Sequence, residues 1–251
     1  MNRRRCALPF AALLALPLAG CTMSGTAAMT ATTQPSEIIL TPSPSAPGAH
    51  KSVHWYKNTA AVGTLVLDGK IGDVTIMGSQ RSDVEVIAEE AYSSTPPHIT
   101  RTVSGGTLTV GYTCLAQIEC TVTFVIRVPS DITVHAATGT GSIWLKNLAG
   151  AATATIGAGS IYATGITAAT ASFSTDAGWI SAAFTSPPTE VAASTMLGTI
   201  KIQVPAAVAY HLITNAVGGI VTVGVPQNAA ATRTITASTN LGKVEVTPSS
   251  L

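Results

Sequence analysis

One short phrase, a turn ending in glycine followed by any residue and then Ile or Val, returns six times between about Thr138 and Val246. It reads Gly141-Ser142-Ile143, Gly159-Ser160-Ile161, Gly178-Trp179-Ile180, Gly198-Thr199-Ile200, Gly218-Gly219-Ile220 and Gly242-Lys243-Val244. Steps of 18, 19, 20, 20 and 24 residues separate these glycines. The approach repeats as well, in Ser174-Thr175-Asp176-Ala177, Ser194-Thr195-Met196-Leu197, Thr214-Asn215-Ala216-Val217 and Ser238-Thr239-Asn240-Leu241. A period this regular calls for stacked units of one supersecondary element.

Each unit offers a strand after its glycine, such as Ile143-Trp144-Leu145 or Ile200-Lys201-Ile202-Gln203-Val204. A second strand of small residues precedes it, as in Ala152-Thr153-Ala154-Thr155-Ile156 or Ala169-Thr170-Ala171-Ser172-Phe173. Strands of about five residues plus corners fill a turn of 18–20 residues, and glycine, Asn and Asp suit corners that need tight bends or positive φ. Turns stacked at a strand spacing of ~4.8 Å bury Ile, Val and Ala in a narrow interior. The expected fold is therefore all-β, a parallel β-solenoid, right-handed by the crossover rule. A β-sandwich is the alternative, since evenly spaced short strands also suit one. The fifth unit breaks step: Val221-Thr222-Val223-Gly224-Val225 can alternate in either register.

Residues 52–130 alternate with period two and carry most of the acids, among them Asp68, Asp73, Asp83, Glu85, Glu89, Glu90 and Glu119. This segment is expected to be an antiparallel β cap, or an opening set of coils, on an array running over 131–251, because repeat stacks need an atypical polar end. Gly72-Asp73-Val74 inside it is a weaker copy of the phrase.

The chain opens as an export signal over residues 1–20, with Arg3, Arg4 and Arg5 ahead of an apolar run too short to span a bilayer. Its end, Leu18-Ala19-Gly20-Cys21, resembles the lipobox of bacterial lipoproteins, in which the cysteine after the cleavage point is acylated. That resemblance implies a membrane partner through lipid on Cys21 and an extracytoplasmic location, on the outer membrane if the source has two. Residues 21–51, rich in Ser, Thr and Pro, read as a disordered stalk reaching about 30 Å. In such an oxidising compartment Cys114 and Cys120 are expected to pair across the mouth of a hairpin, stabilising by ~2 kcal/mol.

The signal, the β region ending in Val128-Pro129, the Gly-x-Ile turns and a second Val-Pro at Val204-Pro205 ahead of Tyr210 belong to one layout. It resembles the bacterial "putative adhesin" family of unknown function, over about Ser52 to Val246. The resemblance implies a role in surface adhesion and brings no catalytic residues with it.

Chemistry is sparse. Charged residues make up 10% of the chain, well under the roughly 25% usual in soluble domains. Lys+Arg (13) balance Asp+Glu (12), so no field recruits nucleic acid. From Thr138 onward the only acids are Asp176, Glu190 and Glu245, and Asp176 occupies a corner that Met196 and Asn240 fill in sister units. Paired carboxylates for sugar hydrolysis are missing from that pattern. The five histidines lack zinc spacing, and no nucleotide loop or serine elbow is present, so neither metal nor cofactor is expected.

One binding surface stands out. If the isoleucines after each glycine point inward, Trp144, Tyr162 and Trp179 turn outward and could form an aromatic strip for a glycan or a surface protein. The expectation is a lipid-anchored envelope protein with a binding or structural role and no catalysis. A carbohydrate-active solenoid and a scaffold that assembles end to end are the alternatives, the latter through an uncapped turn near Val244 and Val246. The oligomeric state is not fixed by the sequence.

Overall fold

The computed structural model describes residues 50–115 and 120–249. The signal segment, Cys21 and the Ser/Thr/Pro-rich stretch up to residue 49 lie outside the described residues. Within them the period-two alternation yields fourteen strands and no helix. These are β1 (His50–Asn58), β2 (Thr64–Asp68), β3 (Val74–Ser79), β4 (Val84–Tyr92), β5 (His98–Ser104), β6 (Thr107–Thr113) and β7 (Cys120–Pro129). They continue as β8 (Thr133–Lys146), β9 (Ala152–Ile166), β10 (Thr170–Ala177), β11 (Ile180–Phe184), β12 (Glu190–Val204), β13 (His211–Val223) and β14 (Thr234–Pro248). All belong to one large mixed sheet.

The repeated glycines set its register. Gly141 lies opposite Gly159, and Gly242 lies between Gly198 and Gly219. Gly178 falls between β10 and β11 at the same level, bracketed by Ala177 opposite Ala158 and Ile180 opposite Ile161. The φ angles of Gly141, Gly159, Gly178, Gly198 and Gly242 run from 134° at Gly141 to 146° at Gly198, a region open essentially to glycine. A second constraint coincides with the first. A Cβ on Gly159 would fall on the carbonyl oxygen of Gly141, one on Gly178 on that of Gly159, and one on Gly198 on that of Gly178. Backbone stacks directly on backbone at this corner, so no side chain fits.

Register then lines up the interior. After the corner, Ile143, Ile161, Ile180, Ile200 and Val244 form one fully buried column. Before it, Ala136, Ala154, Phe173, Ala193 and Ala237 form another. Both columns sit in a single hydrophobic cluster, where each fully buried Ile contributes roughly 1.5–3 kcal/mol. Nearest the corner the inward column is Thr138, Ile156, Thr175, Thr195 and Thr239. Two of its hydroxyls offset the corner's backbone polarity: Thr175 donates to the Gly159 carbonyl at 3.2 Å and Thr239 to that of Gly198 at 3.4 Å. The second Val-Pro also has a physical role. Tyr210 is fully buried and its hydroxyl donates to the Pro205 carbonyl at 2.9 Å.

Three expectations need correction. The array does not stack in chain order, because β14 lies between β12 and β13. Val244 and Val246 are consequently fully buried and are not an uncapped end. The reason lies in the inward residues. β14 carries Ile235, Ala237, Thr239, Val244 and Val246, matching the columns of β12, whereas β13 sets Leu212, Thr214 and Ala216 at the levels of Ile235, Ala237 and Thr239. The better copy takes the interior position. Second, the corner glycine of β13 is Gly219, not Gly218, so Val221 and Val223 share the level of Val244 and Val246. Third, Cys114 and Cys120 form a disulfide, Cα–Cα 6.2 Å, but not across a hairpin. β6 pairs with β2 and β5, while β7 pairs with β3 and β4. The bridge therefore links two strands that continue around the same corner.

The parallel ladder also extends into the segment read as the cap. β2 pairs in parallel with β8, as does β3, and Val74 stands opposite Ile143. Asp73 fixes that contact by accepting the Ser142 N–H at 2.9 Å. Antiparallel pairing is confined to β1–β4–β7 and β5–β6.

The stacked corner makes a sharp prediction. Gly159→Ala should destabilise by about 2–4 kcal/mol, from the strained φ plus the backbone collision. Gly63→Ala, where an added Cβ meets nothing within 4 Å, should be close to neutral. Chemical denaturation of the two variants checks this.

Candidate functional site

Outward positions after the corner form one row across the stack: Thr75, Trp144, Tyr162, Ser181, Lys201, Glu245 and Thr222. Trp144 and Tyr162 are in-register neighbours on β8 and β9, stacked at 5.9 Å between centroids and 16° between planes. Both are partly buried, so they present ring area from a rigid sheet face. Small residues flank them, with Thr75 on one side and Ser181 on the other. The pair is a flat aromatic platform.

Trp179 does not join it. It stands opposite Ser160 and Thr199, two positions before Ser181, and is 63% exposed. It stands at the exposed corner, where Met196, Leu197, Leu241, Val217 and Ile220 on the strands beyond it are also more than half exposed. In the early copies the same levels hold Thr140, Ala158, Ser142 and Ser160. Toward β13 the corner thus gains large apolar residues beside Thr199, Asn240 and Lys243. The sequence signal for it is Met196-Leu197 in place of small residues.

The acids do not assemble. Asp176 is exposed at the corner, Glu190 is exposed at the start of β12, and Glu245 pairs with Lys243 in the outer row. Arg233 is committed to the carbonyls of Pro187 and Pro188, at 2.8 and 3.0 Å. Among the described residues no three His, Cys, Asp or Glu side chains are grouped as metal ligands. No described helix is long and apolar enough to cross a membrane.

A charged cluster braces the other end. Asp83 meets Arg81 at 2.8 Å and Lys57 at 2.9 Å, and Glu85 meets Arg127 at 2.8 Å and Arg81 at 3.5 Å. These contacts tie β1, β4 and β7 together. Hydrogen bonds from Arg81 and then Lys57 hold the Asp83 carboxyl far below its usual range, and the Arg127 guanidinium lowers that of Glu85.

No protein-family model matches the chain, and no curated protein matches its sequence. Solved structures resemble it at low identity. The crystal structure of a putative cell adhesion protein from Clostridium sporogenes superposes with a TM-score of 0.44 at 10% identity, covering 80% of this chain and 99% of its own. A putative adhesin from Bacteroides fragilis gives 0.37 at 12% identity, covering 78% and 97%. A putative lipid binding protein from Parabacteroides distasonis gives 0.38 at 12%, covering 78% and 96%.

The charged cluster predicts acid sensitivity. Both carboxyls titrate lower in the folded chain than in the unfolded one, so their contribution is complete above about pH 5. It is lost as pH falls through the depressed folded values. Thermal stability should therefore fall on the acid side of about pH 5, and Asp83→Asn should flatten that limb while lowering stability at neutral pH.

Proposed function

We propose that the chain is a lipid-anchored, extracytoplasmic β-solenoid serving the cell envelope as a binding or structural module rather than as a catalyst. The anchoring half of this reading rests on Leu18-Ala19-Gly20-Cys21 behind an arginine-led apolar segment. In-register glycines and continuous interior columns support a coil whose turns each contribute two strands and a corner. Scattered or already engaged acids and bases in the array favour binding over catalysis. The neighbouring structures described as adhesion and lipid binding proteins fit the same reading.

The observation that carries the binding half is the Trp144–Tyr162 platform. Two stacked rings on a rigid sheet face offer apolar area at little entropic cost, with the tyrosine hydroxyl as a polar handle. A sugar ring or an extended segment of a surface protein meets such a platform well. Fixed hydroxyls of Ser181 and Thr75 border it in the same row.

The test uses the full chain in its native envelope and after purification. Wild type is expected in the membrane fraction, and Cys21→Ser in the soluble extracytoplasmic fraction. On a glycan array and in a pull-down of surface proteins, Trp144→Ala/Tyr162→Ala should lose about tenfold or more in affinity while keeping the wild-type circular dichroism. Trp179→Ala should bind as wild type does. Equal binding by the double variant, or no ligand in either screen, would remove the platform as the site.

A further inference from the structure

The end of the stack differs from its beginning. β13 pairs only with β14, so one long edge of it faces no strand. The His211 N–H bonds to the Arg233 carbonyl on the β14 side. Alternation in a parallel ladder then turns the amides and carbonyls of Leu212, Thr214 and Ala216 outward. A short bridge from Tyr210 to Gln227 occupies the edge just before this run, and nothing described pairs with it afterwards.

Three observations say what this edge fits. Unpaired N–H and C=O groups in a row are a template for another strand, which a sugar or a lipid tail cannot complete. Its chemistry is neutral: His211–Val223 contains no Lys, Arg, Asp or Glu, whereas edge strand β1 carries Lys51 and Lys57 and edge strand β5 carries Arg101. Those charges blunt the far end in the usual way, and β13 lacks that protection. The inward residues are also left open. Leu212, Ala216 and Val223 pack only partly against the core, and Val221 is 39% exposed, at levels where every earlier unit is covered by a next turn. Outward, Ile213, Val217 and Ile220 are 50%, 73% and 65% exposed and continue the apolar corner.

We propose that β13 is a homotypic interface: two copies of the chain join their β13 edges antiparallel about a two-fold axis. An identical neutral edge matches in length and in absence of charge, and antiparallel pairing satisfies both rows of backbone groups at once. The same contact lays each copy's open core layer over the other's and buries the corner residues Val217 and Ile220. A head-to-tail contact would instead bring this neutral edge against the basic strand β1 and would not close. The far ends of the dimer remain the charged ones. This assignment does not depend on the ligand reading above, since the Trp144–Tyr162 platform lies on an outer face away from the edge row.

Sedimentation velocity on the purified full chain over a concentration series tests it. Wild type should show twice the chain mass. Thr214→Pro blocks strand addition at an amide that makes no bond to β14, and Ile213→Lys/Ile220→Lys places charge on the edge. Both should halve the mass while keeping the wild-type circular dichroism, with an unfolding transition that no longer shifts with protein concentration. Val53→Lys, an equivalent exposed change on β1, should leave the dimer intact. Wild type at single-chain mass throughout, open-ended filaments, or a dimer lost with Val53→Lys and retained in the β13 variants would overturn the proposal.

Discussion

Everything in this molecule depends on one close approach. At the corner of each turn an α-carbon sits against the carbonyl oxygen of the glycine in the turn beside it, too near for any Cβ. That contact does three things together. It demands glycine, it permits the positive φ that swings the chain from one strand into the next, and it locks neighbouring turns in register. Because side chains in a strand alternate faces, a slip of one residue at the corner would exchange the buried isoleucines for the exposed Ser, Lys and aromatic residues. The buried columns, the threonine hydroxyls that bond to the glycine carbonyls, and the outer aromatic pair all inherit their positions from that register.

Much of this was legible in the sequence because corner and core repeat together. The glycine phrase gave the level of Gly141, Gly159, Gly178, Gly198 and Gly242, and the Ile or Val two positions later gave the inward column. What could not be read was neighbourhood. Parallel strands of nearly identical pattern can pair in more than one order, and the choice depends on how well each copy fills a closed interior. β14 outranks β13 through Ile235 and Ala237 against Leu212 and Thr214, a comparison that emerges only once both are laid beside β12. The Gly218-Gly219 pair offered two registers, and the collision of a Gly219 side chain with the Gly242 carbonyl shows which one the backbone uses. Cys114 and Cys120 looked like a hairpin because their flanks alternate, yet alternation is equally true of two strands that follow each other around a corner.

The candidate site was legible by half. Trp144 and Tyr162 share an offset from their glycines, and that alone places them side by side. Trp179 follows its glycine directly, so it belongs to the corner, where the chain bends away from the platform. The apolar growth of that corner through Met196, Leu197 and Leu241 leaves only a faint trace in the sequence, Met196-Leu197 where earlier copies carry small residues. The two ends of the sheet follow the same economy. Charge on β1 and β5 discourages further pairing, whereas β13 closes the stack with an incomplete, neutral copy.

The order of copies around β14 is the central claim, and cross-linking reads it most directly. Ser194 on β12 stands next to Ser238 on β14 on the outward face, with Asn215 of β13 one strand further. Neighbouring strands are ~4.8 Å apart and next-nearest ones about 10 Å. Ser194→Cys/Ser238→Cys should therefore bridge readily under mild oxidation or with a short thiol linker, whereas Ser194→Cys/Asn215→Cys should remain open. The reverse result, bridging only in the second pair, would mean that the turns stack in chain order and would contradict the account.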